Sequence, residues 1–195
     1  GGPVSPDGSA GRRAGHRSDG LHVLIVPGLG DSGPGHWQTL WADADPAARR
    51  VHQRDFDRPV RAEWVDGLDR ELRRRPGPTV LVGHSLGCIA IAAWAQRHDC
   101  AQVAGALLVA PADADALGLL DGVPLAPLPF PATVVASSDD PYCTLQRARA
   151  FAAAWGAEFI DHGPSGHLNV AAGFGAWPRG ERLLAGLRAR VMAGV

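Results

Sequence analysis

The chain has 195 residues, 46% of them hydrophobic, which is enough to bury one sizeable core and argues for a single domain. Its formal net charge is −1 and all 19 basic residues are arginine, a balance that speaks against a nucleic-acid-binding or acidic-membrane-binding surface. Cys88, Cys100 and Cys143 form no CxxC pair and are odd in number, which disfavours a disulfide framework and points to a reducing cytoplasm.

Residues 1 to 20 are rich in Gly, Pro, Ser, Arg and Asp and lack the apolar core of a signal peptide. They read as a disordered extension ahead of one domain over 21–195. No apolar run approaches the roughly 20 residues that span a bilayer. Leu21 to Val26 is a continuous apolar run closed by Pro27-Gly28-Leu29-Gly30, as in a strand covered on both faces by helices. A helix pattern begins at His36-Trp37-Gln38, and Trp37 and Trp41, four apart, share its face. Arg50 to Phe56 reads as a second, more polar strand, and Ala62 to Arg74 has helical spacing at Trp64, Val65, Leu68 and Leu72. Strand Thr79 to Val82 leads into helix Ser85 to Arg97, and Val103 to Ala110 is the fourth strand. Residues 111 to 131 read as a loop or short helical cap. Strand Ala132 to Ser137, helix Thr144 to Trp155, strand Glu158 to Ile160 and an amphipathic helix Trp177 to Met192 complete the pattern. Strands alternating with helices of this length predict a doubly wound, mainly parallel six-stranded sheet with helices on both faces.

The third strand ends in Gly83-His84-Ser85-Leu86-Gly87, the Gly-x-Ser-x-Gly of a nucleophile elbow. That spacing holds a serine on a strained strand-to-helix turn, with glycines letting the two elements approach. With 25 Gly in the chain the pattern arises by chance about once in eight such sequences, so its context decides. A serine nucleophile needs a base and a carboxylate that orients it, in the order Ser, Asp or Glu, His on this fold. The loop after the fifth strand offers Asp139 and Asp140, and the loop after the sixth offers His162 and His167. Both loops sit at the carboxyl ends of strands, where open α/β sheets bind ligands. Backbone N–H groups of Leu86, after the nucleophile, and Leu29, in the glycine-rich loop, are the candidate oxyanion donors. No His, Cys and carboxylate cluster has metal-ligand spacing, and Gly28-Leu29-Gly30 lacks both a dinucleotide fingerprint and a P-loop lysine.

Val26-Pro27-Gly28-Leu29-Gly30, His36-Trp37-Gln38 with Trp41, Gly83 to Cys88, Ser138-Asp139-Asp140-Pro141-Tyr142-Cys143, Gly166-His167-Leu168-Asn169 and Gly173 to Pro178 together carry a wider resemblance. Over roughly residues 21 to 190 the chain resembles the retinoblastoma-binding protein 9 (YdeN-like) family of small α/β-hydrolase-fold serine hydrolases, especially its bacterial branch. The resemblance implies a compact α/β-hydrolase fold, strand order 2-1-3-4-5-6, no large lid and no cofactor. It also implies Asp140 as the triad carboxylate and His167 as the base. Carboxylesterase-like cleavage of a small acyl substrate follows, with peptidase, thioesterase and lactonase chemistry as variants. His36, Trp37 and Tyr142 are the candidate substrate contacts. The competing class is an interaction module on a hydrolase scaffold. Against it, Leu86-Gly87-Cys88-Ile89-Ala90 ends in Ala where a retinoblastoma-docking Leu-x-Cys-x-Glu pattern needs Glu. The sequence carries no signal of oligomeric state.

Overall fold

A computed structural model describes residues 19–194. The expected N-terminal extension therefore lies outside the described residues except for Asp19 and Gly20. Asp19 is held by the Arg188 guanidinium through two 2.7 Å bonds.

Six strands form one all-parallel sheet: β1 (His22–Val26), β2 (Ala48–Arg50), β3 (Thr79–His84), β4 (Val103–Val109), β5 (Ala132–Ala136) and β6 (Glu158–Asp161). Their order is β2-β1-β3-β4-β5-β6, the order of the predicted α/β-hydrolase fold. The apolar runs become central strands because side chains alternate between two covered faces. Leu24, Val26, Leu81 and Leu108 meet one core with α2 (Arg61–Arg74), α3 (Leu86–Arg97) and α5 (Leu145–Trp155). Val23, Ile25, Val82 and Val109 meet a second core on the other face, with α1 (Trp37–Ala44) and α6 (Pro178–Ala193). A single turn of helix, α4 (Ala114–Leu117), is all the regular structure between β4 and β5, so no large lid forms there. Among the described residues, no helix is long and apolar enough to cross a membrane.

The second strand departs from expectation. It spans Ala48–Arg50 rather than Arg50 to Phe56, pairing Val23 with Ala48 and Ile25 with Arg50. After Val51 donates its N–H to the Ile25 carbonyl, the chain leaves the sheet. Its polar residues find better partners elsewhere: Gln53 Nε2 bonds the Trp64 carbonyl, and the Asp55 carboxylate closes a turn on the amides of Asp57 and Arg58. The freed Phe56 carbonyl accepts the Gly30 N–H at 3.0 Å, so this segment buttresses the loop after β1.

Candidate active site

Ser85 follows β3 with φ 56° and ψ −123°, a left-handed conformation that costs a non-glycine residue about 1–3 kcal/mol. Close packing enforces it. A Cβ at Gly87 would collide with the Val26 and Pro27 carbonyl oxygens, and one at Gly28 would lie 3.0 Å from both the His84 carbonyl and Ser85 Cβ. The loop after β1 thus lies directly against the elbow. Among the described residues, the Leu29 and Leu86 amides donate to none of the turn and loop carbonyls. Gln38, fully buried on α1, fastens this corner by donating to the carbonyl of Val26, at the end of β1, and to that of Val82 in β3.

Of the candidate acids and bases, His167 meets Ser85 and Asp140 meets His167. The His167 Nε2 is 2.8 Å from Ser85 Oγ, and its Nδ1 is 3.0 Å from each Asp140 carboxylate oxygen. Since an ionised carboxylate only accepts, Nδ1 carries the imidazole proton and Nε2 is left to accept from the serine hydroxyl. The Asp140 side chain is 3% exposed and also accepts the Tyr142 N–H at 2.9 Å, which orients it.

Asp139, one residue earlier, turns elsewhere. Its Oδ1 accepts from Ser137 Oγ at 2.9 Å and from the Gly166 N–H at 2.8 Å, and these bonds hold its carboxyl below the usual range. With the Ser165 N–H on Ser137 Oγ and the Ser138 N–H on the Gly163 carbonyl, it ties the loop after β5 to the loop after β6. His162 is a strut in the same assembly. Trp177 Nε1, a pure donor, bonds its Nε2 at 3.1 Å, so its proton sits on Nδ1, 2.6 Å from Ser165 Oγ.

His84 and Trp37 hold the base from beneath. The His84 Nε2 donates to the His167 carbonyl at 2.8 Å, and the Trp37 indole N–H donates to the Leu168 carbonyl, also at 2.8 Å. Burial drives the His84 pKa well below its ordinary value, so the ring is a neutral N–H donor. The expected substrate contact of Trp37 is thereby corrected: its side chain is fully buried, does not line the cavity and spends its one donor on backbone.

A cavity of about 280 Å³ opens over Ser85, just below the roughly 300–1,000 Å³ of small-molecule sites. His36 and Tyr142, two of the candidate substrate contacts, line it, and Tyr142 stands edge-on to the His167 ring at 4.6 Å. Leu117, Leu119 and Ala112 form an apolar wall that was not legible in the sequence, because residues 111 to 131 have weak periodicity. This wall is anchored: Arg147 bonds Asp113 and Asp115, while Arg61 bonds the Leu120 and Gly122 carbonyls. Asp31, Ser32, His36 and Asn169 line the same cavity and supply polar groups. Among the described residues, no group of three or more His, Cys, Asp or Glu is placed to hold a metal ion.

Fold and elbow together define an α/β hydrolase with a serine at its centre. The chain belongs to the serine hydrolase family, whose family model matches residues 23–186, and within it to the small YdeN-like hydrolases. It is similar to the crystal structure of a YdeN-like hydrolase from Pectobacterium atrosepticum, with 36% identity, TM-score 0.82, and 88% of this chain and 92% of that one covered. The YdeN product of Bacillus subtilis is 23% identical with TM-score 0.75 over 87% and 99% of the two chains. Carboxylesterase CesB of B. subtilis, 15% identical with TM-score 0.63 over 86% and 84%, shares the fold. No protein with a curated description matches the chain.

Proposed function

We propose that this hydrolase cleaves small carboxylic esters through an acyl-enzyme formed on Ser85, with His167 as general base and acid and Asp140 as the orienting carboxylate. The observation that carries the reading is the continuous hydrogen-bonded chain from Ser85 Oγ through His167 to Asp140, facing a cavity at the carboxyl edge of the sheet. His167 Nε2 takes the hydroxyl proton as Oγ bonds the ester carbonyl carbon. The resulting oxyanion receives the Leu29 and Leu86 N–H groups, which Gly28 lets approach the elbow. Collapse breaks the bond to the alkoxy oxygen, which leaves with the proton from His167. Water then enters, gives a proton to the same nitrogen, and attacks the acyl carbon to free the acid and regenerate Ser85.

The modest cavity and its apolar wall favour short acyl chains, and the small cap leaves the site accessible. The three cysteines are free, in keeping with a cytoplasmic home. Turnover of p-nitrophenyl acetate and butyrate tests the reading. The unaltered chain hydrolyses both, and Ser85→Ala and His167→Ala each lose several orders of magnitude in kcat while remaining folded. Hydrolysis by Ser85→Ala at the original rate would refute it.

A further inference from the structure

His36 holds a polar group for which the fold supplies no partner. Its Nδ1 accepts the Gln38 N–H at 3.0 Å and caps α1, which fixes the neutral ring with its proton on Nε2. That Nε2 is buried with no hydrogen-bond partner, on a residue that is 5% exposed and lines the cavity. Burial lowers the His36 pKa to about 4, so near neutral pH the ring stays a donor at Nε2 and carries no charge. Unpartnered buried polar groups are few in native folds and each calls for an explanation; of those in the described residues, His36 Nε2 is the one in a residue that lines the cavity.

The ring also reaches the catalytic base through His84. It packs edge-on to His84 at 4.7 Å, and His84 in turn bonds the His167 backbone. His36 therefore neighbours the base that must protonate the departing alcohol, whereas the apolar wall of Ala112, Leu117 and Leu119 comes from the cap. Asn169 adds a second neutral donor: its Oδ1 is spent on the Ala172 N–H, leaving its NH₂ in a residue that lines the same cavity. Asp31, the one carboxylate on this wall, is paired with Arg50 at 2.6 Å, so the wall offers no unpaired charge.

We propose that His36 is a specificity-determining residue whose Nε2–H, together with the Asn169 amide, receives an oxygen acceptor carried on the alcohol portion of the substrate. The substrates are then esters of oxygenated, uncharged alcohols, with an ether, hydroxyl or carbonyl oxygen beyond the ester oxygen. This rests on the ester-cleaving reading of Ser85.

The test compares two isosteric esters, 2-methoxyethyl butyrate and n-butyl butyrate, which differ by one oxygen in place of a methylene. The unaltered chain favours the methoxyethyl ester by about tenfold in kcat/KM, the yield of one neutral hydrogen bond. His36→Ser keeps a cap on α1 but cannot reach the cavity, and it brings the ratio close to one. A purely structural role would lower both rates and leave the ratio unmoved, which would overturn the proposal. A second readout needs neither that variant nor turnover: ¹⁵N-imidazole NMR of Ser85→Ala, in which the methoxyethyl ester shifts the His36 Nε2–H resonance and the butyl ester does not. No differential shift means that the N–H is satisfied within the protein, for example on the His84 ring face, and overturns the proposal. A differential shift without ester turnover by the unaltered chain would uphold the donor and refute the esterase reading alone.

Discussion

Asp139 and Asp140 are adjacent carboxylates with different work, and replacing each with asparagine separates them in one assay. In Asp140→Asn, the oxygen that accepts the Tyr142 N–H also lies 3.0 Å from the His167 Nδ1, and the NH₂ takes the place of the other oxygen, likewise 3.0 Å away. The ring then meets one neutral acceptor and one competing donor where it had a carboxylate. The tautomer with its proton on Nδ1 is weakened against the one that carries it on Nε2 and can no longer accept from the Ser85 hydroxyl 2.8 Å away. Weakening of the correct tautomer and loss of the charge that stabilises imidazolium lower kcat by about 10⁴. In Asp139→Asn, a single amide oxygen still accepts from Ser137 Oγ and the Gly166 N–H, because both bonds fall on Oδ1. Turnover there stays within about threefold, with only neutral-acceptor weakening of two bonds. Initial rates on p-nitrophenyl butyrate at pH 8, with circular dichroism as the folding control, measure both. The reasoning is refuted if Asp139→Asn is the more damaging change, or if Asp140→Asn keeps a tenth of the original rate.

Gly28→Ala places a Cβ 3.0 Å from the His84 carbonyl and Ser85 Cβ, pushing the loop off the elbow; kcat falls by about 10² to 10³, the cost of one oxyanion donor, with thermal stability the control. His162→Phe loses its bonds to Ser165 and Trp177, so it destabilises by about 1–3 kcal/mol in urea denaturation yet retains turnover within tenfold. A complete loss of activity there would make His162 the base. Acidification below about pH 6.5 destabilises the fold through buried histidines. Burial lowers the pKa values of His36, to about 4, and of His84 and His162, so the unfolded chain binds more protons as pH falls from about 6.5. The resulting stability is complete above that pH and is lost as pH approaches 4, which melting temperature across pH 7.5 to 4.5 records as a steady fall; a flat or rising profile would contradict it.

The sheet was legible because each central strand is a continuous apolar run and alternates with helix-length segments, as strands of a doubly covered parallel sheet do. The edge strand was not: Val51 to Phe56 has the composition of a polar strand, and only the three-dimensional partners of Gln53, Asp55 and Phe56 explain why it leaves the sheet. Ser85 was marked by glycines whose spacing reports close approach. Trp37 was misjudged because an aromatic beside a cleft motif looks the same whether it faces substrate or carries the loop beneath the base. The structural role of Gln38 has a signal in the sequence, a neutral amide on the apolar face of α1 that must find partners once buried. The apolar wall from Leu117 and Leu119 depends on a single helical turn and on anchors from Arg61 and Arg147, a long-range arrangement without local periodicity.

Active-site labelling bears most directly on the central claim that Ser85 is a nucleophile activated by His167. On incubation with a fluorophosphonate, intact-mass spectrometry and peptide mapping are expected to find one phosphonyl adduct on Ser85. The adduct is absent in Ser85→Ala and forms at least about a hundredfold more slowly in His167→Ala. An adduct on another residue, or labelling that Ser85→Ala leaves unchanged, would contradict the account.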